Sequence, residues 1–395
     1  MNVAQFGDSP AGRIVQVGQG AVAYWAFLPN PLPPDLPPDA EMMHAISGAA
    51  YALGELAALG RAMPNPHLLI NPFLRREAVL SSRIEGTRAS IADLYAYEAG
   101  QLPLPGLSAG APEADVREVA NYVAALEYGL NRLSSLPVSL RLIRELHERL
   151  MQGVRGEHGT PGEFRTSQNW VGRPGCTLNE ARFVPPPVPE MHPALDAFEK
   201  YLHAEDRANP RLVRLALIHY QFEAIHPFLD GNGRIGRLLI LLLLVNWNLL
   251  PLPLLYLSAY FERQRERYYD LLLGVSEHGA WRDWVLFVLA GVAEQARDAA
   301  SRLKRLEDLR ADWRGRLAKV SASAFPLALA DDLCRFPVLT IPQAQRLLKL
   351  TYPSARNNVE KLVQAGILRQ VGETSYGKTY VADEILRVVM DFPGE

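Results

Sequence analysis

Residues 225–237 read Ile225-His226-Pro227-Phe228-Leu229-Asp230-Gly231-Asn232-Gly233-Arg234-Ile235-Gly236-Arg237 and join two helical stretches. The residues before it, Leu212 to Ile225, carry a helical pattern. His226-Pro227 stops that helix, because proline disfavours an α-helical residue before it and offers no N–H itself. After Gly233 a second helix starts and runs through Leu238–Val245, eight apolar residues in a row. Asn246, Asn248, Pro251 and Pro253 break that run well short of the ~20 residues a membrane span needs, so it reads as a helix buried in a protein core.

The turn between the helices is rich in chemistry. Glycines at 231 and 233 let backbone N–H groups converge into a concave nest, and the N-terminus of the following helix adds its positive dipole end. That is an anion site. Arg234 and Arg237, three residues apart, can face the same polyphosphate. Asp230 is a hard oxygen ligand suited to Mg²⁺ bridging phosphates. His226, with an ordinary pKa of ~6.5, can take a proton near neutral pH. One short turn therefore offers a base, a metal ligand and a phosphate cradle.

The same residues resemble the signature of the Fic (Fic/Doc) family, His-Pro-Phe-x-Asp/Glu-Gly-Asn-Gly-Arg-x-x-Arg, and 226–237 match at every specified position. The upstream run from His219 to Ile225 also resembles the family's approach to the motif. The resemblance implies a mainly α fold: a Fic-type helical core with a small β-hairpin flap. It also implies a nucleotidyltransferase, a protein adenylyltransferase moving AMP from ATP to a Ser, Thr or Tyr hydroxyl of a protein target, which could be the chain itself. Carried over by position, His226 deprotonates the acceptor hydroxyl and Asp230 holds Mg²⁺. Gly231, Asn232 and Gly233 grip the phosphates, and Arg234 with Arg237 binds the outer ones. His219 is expected to serve packing.

Upstream, Ser81-Ser82-Arg83-Ile84-Glu85-Gly86 matches the inhibitory pattern Ser/Thr-x-x-x-Glu-Gly/Asn of self-restrained family members through Ser81, Glu85 and Gly86. The resemblance implies that Glu85 pairs with Arg237 and competes with the γ-phosphate for its guanidinium. Between Gly153 and Pro193, frequent Gly and Pro with short runs such as 169–171 and 182–184 suggest a β-hairpin or long flap. It resembles the family's target-binding flap, with Phe183, Val184 and Pro185 on the strand that pairs with an extended target segment.

Farther out, residues 340–382 resemble a winged helix-turn-helix domain. Thr340 and Pro342 mark a helix start, Ser354–Gln364 reads as the recognition helix, and Leu368–Val371 with Lys378–Val381 suits a two-stranded wing. Residues 333–382 hold seven Lys/Arg and two Asp/Glu, an excess of +5. Arg356, Lys361, Arg369 and Lys378 could contact phosphates and Asn357 a base edge, which makes DNA a candidate partner beside protein docking.

The whole chain has 395 residues, enough for two or three domains. The division expected is an N-terminal region with the inhibitory helix at 1–110, the catalytic core at 111–310, a linker at 311–330 and the winged helix at 331–395. Forty-one Lys+Arg against 43 Asp+Glu, net −2, and 48% hydrophobic residues exclude a polycation and a disordered chain. Thirty prolines are an excess, six of them within PNPLPPDLPP at 29–38, a segment that must be extended. Residues 1–28 carry no clear period. Two cysteines cannot form a disulfide framework, and no secretory signal or membrane span is visible, so a cytoplasmic protein, with a homodimer as a candidate assembly, is expected. The rival readings are a DNA-binding regulator whose core senses nucleotide, the same scaffold with another donor such as UTP or a phosphocholine carrier, and removal of AMP.

Overall fold

The computed structural model describes residues 1–7, 9–20, 23–63, 66–100, 110–154, 160–173, 175–371 and 378–390. The chain is mostly helical with a small antiparallel hairpin. In order run β1 (Gly12–Val17), β2 (Tyr24–Pro29), α1 (Ala40–Ala62), α2 (Pro66–Ile84), α3 (Ile91–Glu98), α4 (Glu113–Arg132), α5 (Leu140–Leu150), α6 (Val188–His203), α7 (Arg211–Ile225) and α8 (Asn232–Asn246). Then follow α9 (Ser258–Arg263), α10 (Arg265–His278), α11 (Trp281–Val320), α12 (Ala324–Leu333), β3 (Val338–Thr340), α13 (Ile341–Leu348), α14 (Tyr352–Gln364), β4 (Arg369–Val371), β5 (Thr379–Val381) and α15 (Asp383–Met390). They form two compact units, the first comprising 1–54, 124–249 and 257–295, the second 55–123, 250–256 and 296–395.

At the centre of the first unit lie α7 and α8. Thirteen of the fifteen residues of α7 and twelve of the fifteen of α8 are buried. A helix apolar all round is stable only when covered on every side, and each buried leucine contributes about 2 kcal/mol by leaving water. Polar groups inside this core are paired: Trp284 Nε1 donates to the carbonyl of Ala216 on α7 at 2.8 Å, and Tyr220 shares a 2.8 Å bond with Ser276.

The small hairpin is β1–β2, registered from Gly12↔Pro29 to Val17↔Tyr24, in the stretch that reads as patternless. Its alternation is weak because Phe27 and Ala26 are buried on successive positions. The flap region differs from the expected hairpin. Among its described residues there is one isolated antiparallel bridge, Val171↔Phe183, and a 3₁₀ turn at Leu178–Glu180. Three consecutive prolines at 185–187 remove the donors a second strand would need.

The second unit carries α2, α3 and the C-terminal elements. Ser90 and Asp93 form a capping box that starts α3, and Thr340 with Gln343 does the same for α13, whose second residue is Pro342. The C-terminal sheet has order β3-β5-β4, all antiparallel. Its third strand, β3, is added to the two expected for the wing, and residues 372–377 between β4 and β5 lie outside the described residues, as do residues 101–109. Residues 311–330, expected as a linker, belong instead to the end of α11 and to α12. Charged i,i+4 pairs such as Asp312–Arg316 stiffen that stretch, and Arg310 binds Asp331 of α12 at 2.7 Å. No helix among the described residues is long and apolar enough to cross a membrane.

Candidate active site

The site is built on the break between α7 and α8. His226 closes α7 in the left-handed conformation (φ 50°, ψ 60°), and its N–H still bonds the Phe222 carbonyl. A non-glycine residue held there stores strain, tolerable only because the surroundings fix it. Its Nδ1 lies 3.1 Å from the Glu223 carbonyl. A carbonyl can only accept, so Nδ1 carries the hydrogen and the basic lone pair falls on Nε2.

The next three carbonyls are all captured from below. Arg165 Nε donates to the carbonyl of His226 at 3.0 Å and the Arg165 N–H to that of Pro227 at 2.9 Å. Asn169 Nδ2 donates to His226 at 3.2 Å and to Phe228 at 2.7 Å. Arg165 is 1% exposed and also reaches the carbonyls of Ser167 and Pro186. Burial lowers its guanidinium to about 10, still charged at neutral pH. Replacing Arg165 by leucine orphans these buried acceptors, and the melting temperature should fall by an amount equivalent to about 3 kcal/mol. A variant as stable as the parent in thermal unfolding would contradict this.

A second brace comes from α5. His147 is 2% exposed and stacks on Phe228 with ring centres 3.7 Å apart and planes 6° apart. The Gly162 N–H donates to its Nδ1 at 2.9 Å, so Nε2 donates to the Asp230 carbonyl at 3.0 Å. Burial pushes the His147 pKa down to about 4, opposed by the Asp230 carbonyl and assisted by the nearby charge of Arg234. Below the ordinary 6.5, the unfolded chain therefore takes a proton that the folded one refuses. Stability is flat above pH 6.5 and falls as the pH drops toward 4, by up to about 3 kcal/mol from this group. Thermal melts between pH 7 and 4.5 should have a shallower slope in His147→Gln than in the parent.

The turn then tightens. Gly231 caps α8 at φ 81°, and a Cβ there would meet the Met151 Sδ at 3.0 Å, so glycine is required for both conformation and space. Asp230 Oδ1 accepts from the Gly231 N–H at 2.6 Å and lies 3.4 Å from Arg234, while its side chain remains half exposed. Asn232 departs from the expected phosphate grip through its side chain. Buried, it accepts from the Phe228 N–H at 2.9 Å and donates to the Phe228 carbonyl at 2.8 Å, closing the turn on itself. Gly233 lies in the first turn of α8, where backbone N–H groups have no intrahelical acceptor.

Arg234 and Arg237 are both buried, at 3% and 2%, beneath the start of α8. His219 sits among Phe261, Tyr268 and Trp284, bonded to the Tyr268 hydroxyl at 2.9 Å, with its pKa driven to about 3 by burial and by Arg237. No cluster of three His, Cys, Asp or Glu suited to a metal occurs among the described residues. Asp230 alone fits Mg²⁺, which binds nucleotide sites through one or two carboxylates and takes its other ligands from phosphate and water.

Two expectations are corrected or moved. Phe183, Val184 and Pro185 are buried, and their main chain is already engaged. Phe183 exchanges bonds with Val171 (3.0 and 2.8 Å), the Val184 carbonyl accepts from the Phe27 N–H of β2, and the Pro185 carbonyl accepts from Gln168. The segment is built into the unit rather than presented as an edge for a target strand; Trp170 and Arg182 beside it are among the exposed residues of the region. In the second unit Ser81 is buried within α2, while Glu85 and Gly86 are exposed in the turn after it, Gly86 at φ 100° where a side chain would be strained. Of the proposed DNA contacts, Arg356 is paired to Glu360 (2.8 Å) and Arg369 to Asp383 (2.7 Å), whereas Asn357 is exposed and Lys361 and Lys378 half exposed.

Arg165, Asn169 and His147 escape a reading of the sequence around the motif, since they lie 57 to 83 positions away from the carbonyls they hold. Their one signal is a histidine on the apolar face of α5 and an arginine beside Phe164.

Comparison with known proteins agrees with this geometry. Residues 43–131 match the profile described as Fic/DOC family N-terminal, and residues 137–244 match that of the Fic/DOC family. Among curated proteins, the Protein adenylyltransferase Fic of Drosophila virilis is 30% identical over 207 residues, 52% of this chain and 38% of that protein. The protein of the same name from Drosophila ananassae is 29% identical over 207 residues, 52% of this chain and 37% of its own. The chain thus spans less than two fifths of the length of these relatives. A crystal structure of a Fic family protein from Desulfovibrio desulfuricans G20 superposes with a TM-score of 0.55 at 21% identity, covering 89% of this chain and 98% of that one. A Fic domain containing signaling protein from Bacteroides thetaiotaomicron gives 0.52 at 19% identity, with 65% and 97% covered. These two share the fold. With its signature turn, helical core and both matched segments, the chain belongs to the Fic/DOC family.

Proposed function

We propose that this chain is a protein adenylyltransferase that moves AMP from ATP to a Ser, Thr or Tyr hydroxyl of a protein and restrains itself through Glu85. The observation that carries the reading is the His226 ring, oriented by the Glu223 carbonyl so that Nε2 is basic, beside a left-handed glycine cap and a half-exposed carboxylate. The acceptor oxygen attacks the α-phosphorus, the bond to the β-phosphate oxygen breaks, pyrophosphate leaves, and Nε2 of His226 takes the hydroxyl proton. Such displacement depends chiefly on alignment and charge neutralisation. Asp230 would hold Mg²⁺, which supplies positive charge against the phosphates. Gly231 and Gly233 offer backbone N–H groups, and Arg234 and Arg237 supply fixed charge for the outer phosphates. Asn232 contributes by keeping the turn shut.

The relatives' printed name, adenylyltransferase, supports this donor chemistry. The C-terminal order helix, strand, two helices and two strands supports a winged-helix reading of residues 324–381, but with Arg356 and Arg369 neutralised by carboxylates, protein docking is favoured over DNA. Incubating the Glu85→Gly chain with a mixture of nucleoside triphosphates and a cell extract, followed by mass spectrometry, tests the reaction. Modified proteins should gain the mass of AMP; a gain of another nucleotidyl group, or none, would contradict it.

A further inference from the structure

Within the second unit, the end of α3, the turn after α12, β3 and α13 surround a cavity of about 250 Å³. Its walls are largely apolar. Tyr95 and Leu339 are buried, Phe336 is half-buried and Leu347 is exposed. The aromatic walls are held by cations outside the cavity lining: the Arg75 guanidinium carbon lies 5.9 Å from the ring centre of Tyr95 and 5.2 Å from that of Phe336.

Four polar side chains interrupt these walls, and two of them are already engaged. Glu98 takes the Arg75 Nε–H on its two oxygens, at 2.8 and 3.1 Å. Gln343 Oε1 accepts from the N–H and the hydroxyl of Thr340, at 2.8 and 2.9 Å, which leaves its Nε2 as the group still able to donate. Asp332 differs. It stands in the last turn of α12, where a negative charge opposes the helix dipole. No hydrogen bond or ion pair among the described residues engages its carboxylate. Burial raises its pKa, partly offset by the charge of Arg335. The neighbouring Asp331, by contrast, pairs with Arg310 at 2.7 Å and Arg314 at 3.5 Å. Arg346, in the last turn of α13, brings a positive charge to the cavity, and it too has no ion pair among the described residues.

The cavity therefore offers one anion, one cation and one amide donor around an apolar wall. It is smaller than the about 300–1,000 Å³ typical of sites for drug-sized ligands. A partly desolvated carboxylate without a partner favours an ammonium, and a guanidinium favours a carboxylate. A phosphate is disfavoured, because Asp332 repels it. We propose that this cavity binds a free α-amino acid with an apolar side chain, its ammonium on Asp332, its carboxylate on Arg346 and Gln343 Nε2, and its side chain against Tyr95, Phe336 and Leu339. Such a ligand joins α3, α12 and α13, so its binding stabilises the second unit. The assignment does not depend on the reaction at the 226–237 turn.

Calorimetric titration and thermal shift of the full chain with L-leucine and with L-phenylalanine test it. At least one should bind saturably, one molecule per chain. For the tighter of the two, the analogue without the carboxylate (3-methylbutylamine or phenethylamine) should bind at least about tenfold more weakly. The analogue without the ammonium (4-methylpentanoate or 3-phenylpropionate) should weaken to the same degree. Asp332→Asn and Arg346→Gln should each cost at least about tenfold in affinity for the amino acid. Asparagine keeps the shape of the aspartate and removes a charge that opposes the α12 dipole, so the fold should persist; should one variant fail to fold, the other decides. Hydrogen–deuterium exchange in residues 91–99 and 338–348 should slow when the amino acid is added to the parent chain. Absence of binding by both amino acids overturns the proposal. So does a single-charge analogue that binds as tightly as the amino acid, an affinity unchanged in the folded variants, or binding that leaves exchange in these segments as it was.

Discussion

Substituting alanine for His226 should cut nucleotidyl transfer by about 10²–10⁴-fold, the range for loss of a positioned general base. The acceptor hydroxyl has a pKa far above neutrality, so its attack on phosphorus needs a group to receive the proton as the new bond forms. The Glu223 carbonyl holds Nδ1–H at 3.1 Å and commits Nε2 to that task. Nucleotide affinity should hardly change, since on the proposed function the phosphates are held by the glycine N–H groups, the arginines and the Mg²⁺ that Asp230 would bind. Alanine at φ 50° adds local strain, so His226→Asn is the companion variant: asparagine visits this conformation readily yet offers no base of comparable strength. Both should be equally inactive. A His226→Asn protein that keeps most of its rate would show that position, not proton acceptance, is what the residue provides.

The second large effect runs the other way. If Glu85 acts as the proposed brake, Glu85→Gly should raise labelling about tenfold or more, since one charge-assisted interaction of a carboxylate is worth about 1.5–3 kcal/mol. Glu85 stands just past the C-terminus of α2, where a negative charge opposes the helix dipole, and it is exposed. A released brake predicts that activity rises while the melting temperature changes little. A rise in activity accompanied by a large loss of stability would point to a loosened fold rather than a released brake.

How much of this was legible in the sequence follows the range of the interactions. His226-Pro227 and the eight apolar residues from Leu238 fix the end of α7 and the burial of α8, because proline chemistry and hydrophobic runs act within a few residues. The capping boxes at Ser90 and Thr340 are local in the same way. The braces at Arg165, Asn169 and His147 are not. Each is an ordinary residue in its own neighbourhood and acquires meaning only when the flap and α5 fold beneath the turn. Asn232 illustrates the same point inside the motif: the family resemblance implies a phosphate contact, but its side chain turns back on Phe228. Nothing in Phe183-Val184-Pro185 announces that Phe27 of β2 will bond to the Val184 carbonyl. The forty residues of α11 run past their apolar period on charged pairs, which read as a linker when taken one at a time.

The most direct measurement is autoradiography of the chain and an extract after incubation with ATP labelled at the α-phosphate, comparing parent, Glu85→Gly, and Glu85→Gly combined with His226→Ala. Labelling should be weak, strong and absent, in that order. Label persisting at full strength in the double variant would rule out nucleotidyl transfer at the 226–237 turn with His226 as its base.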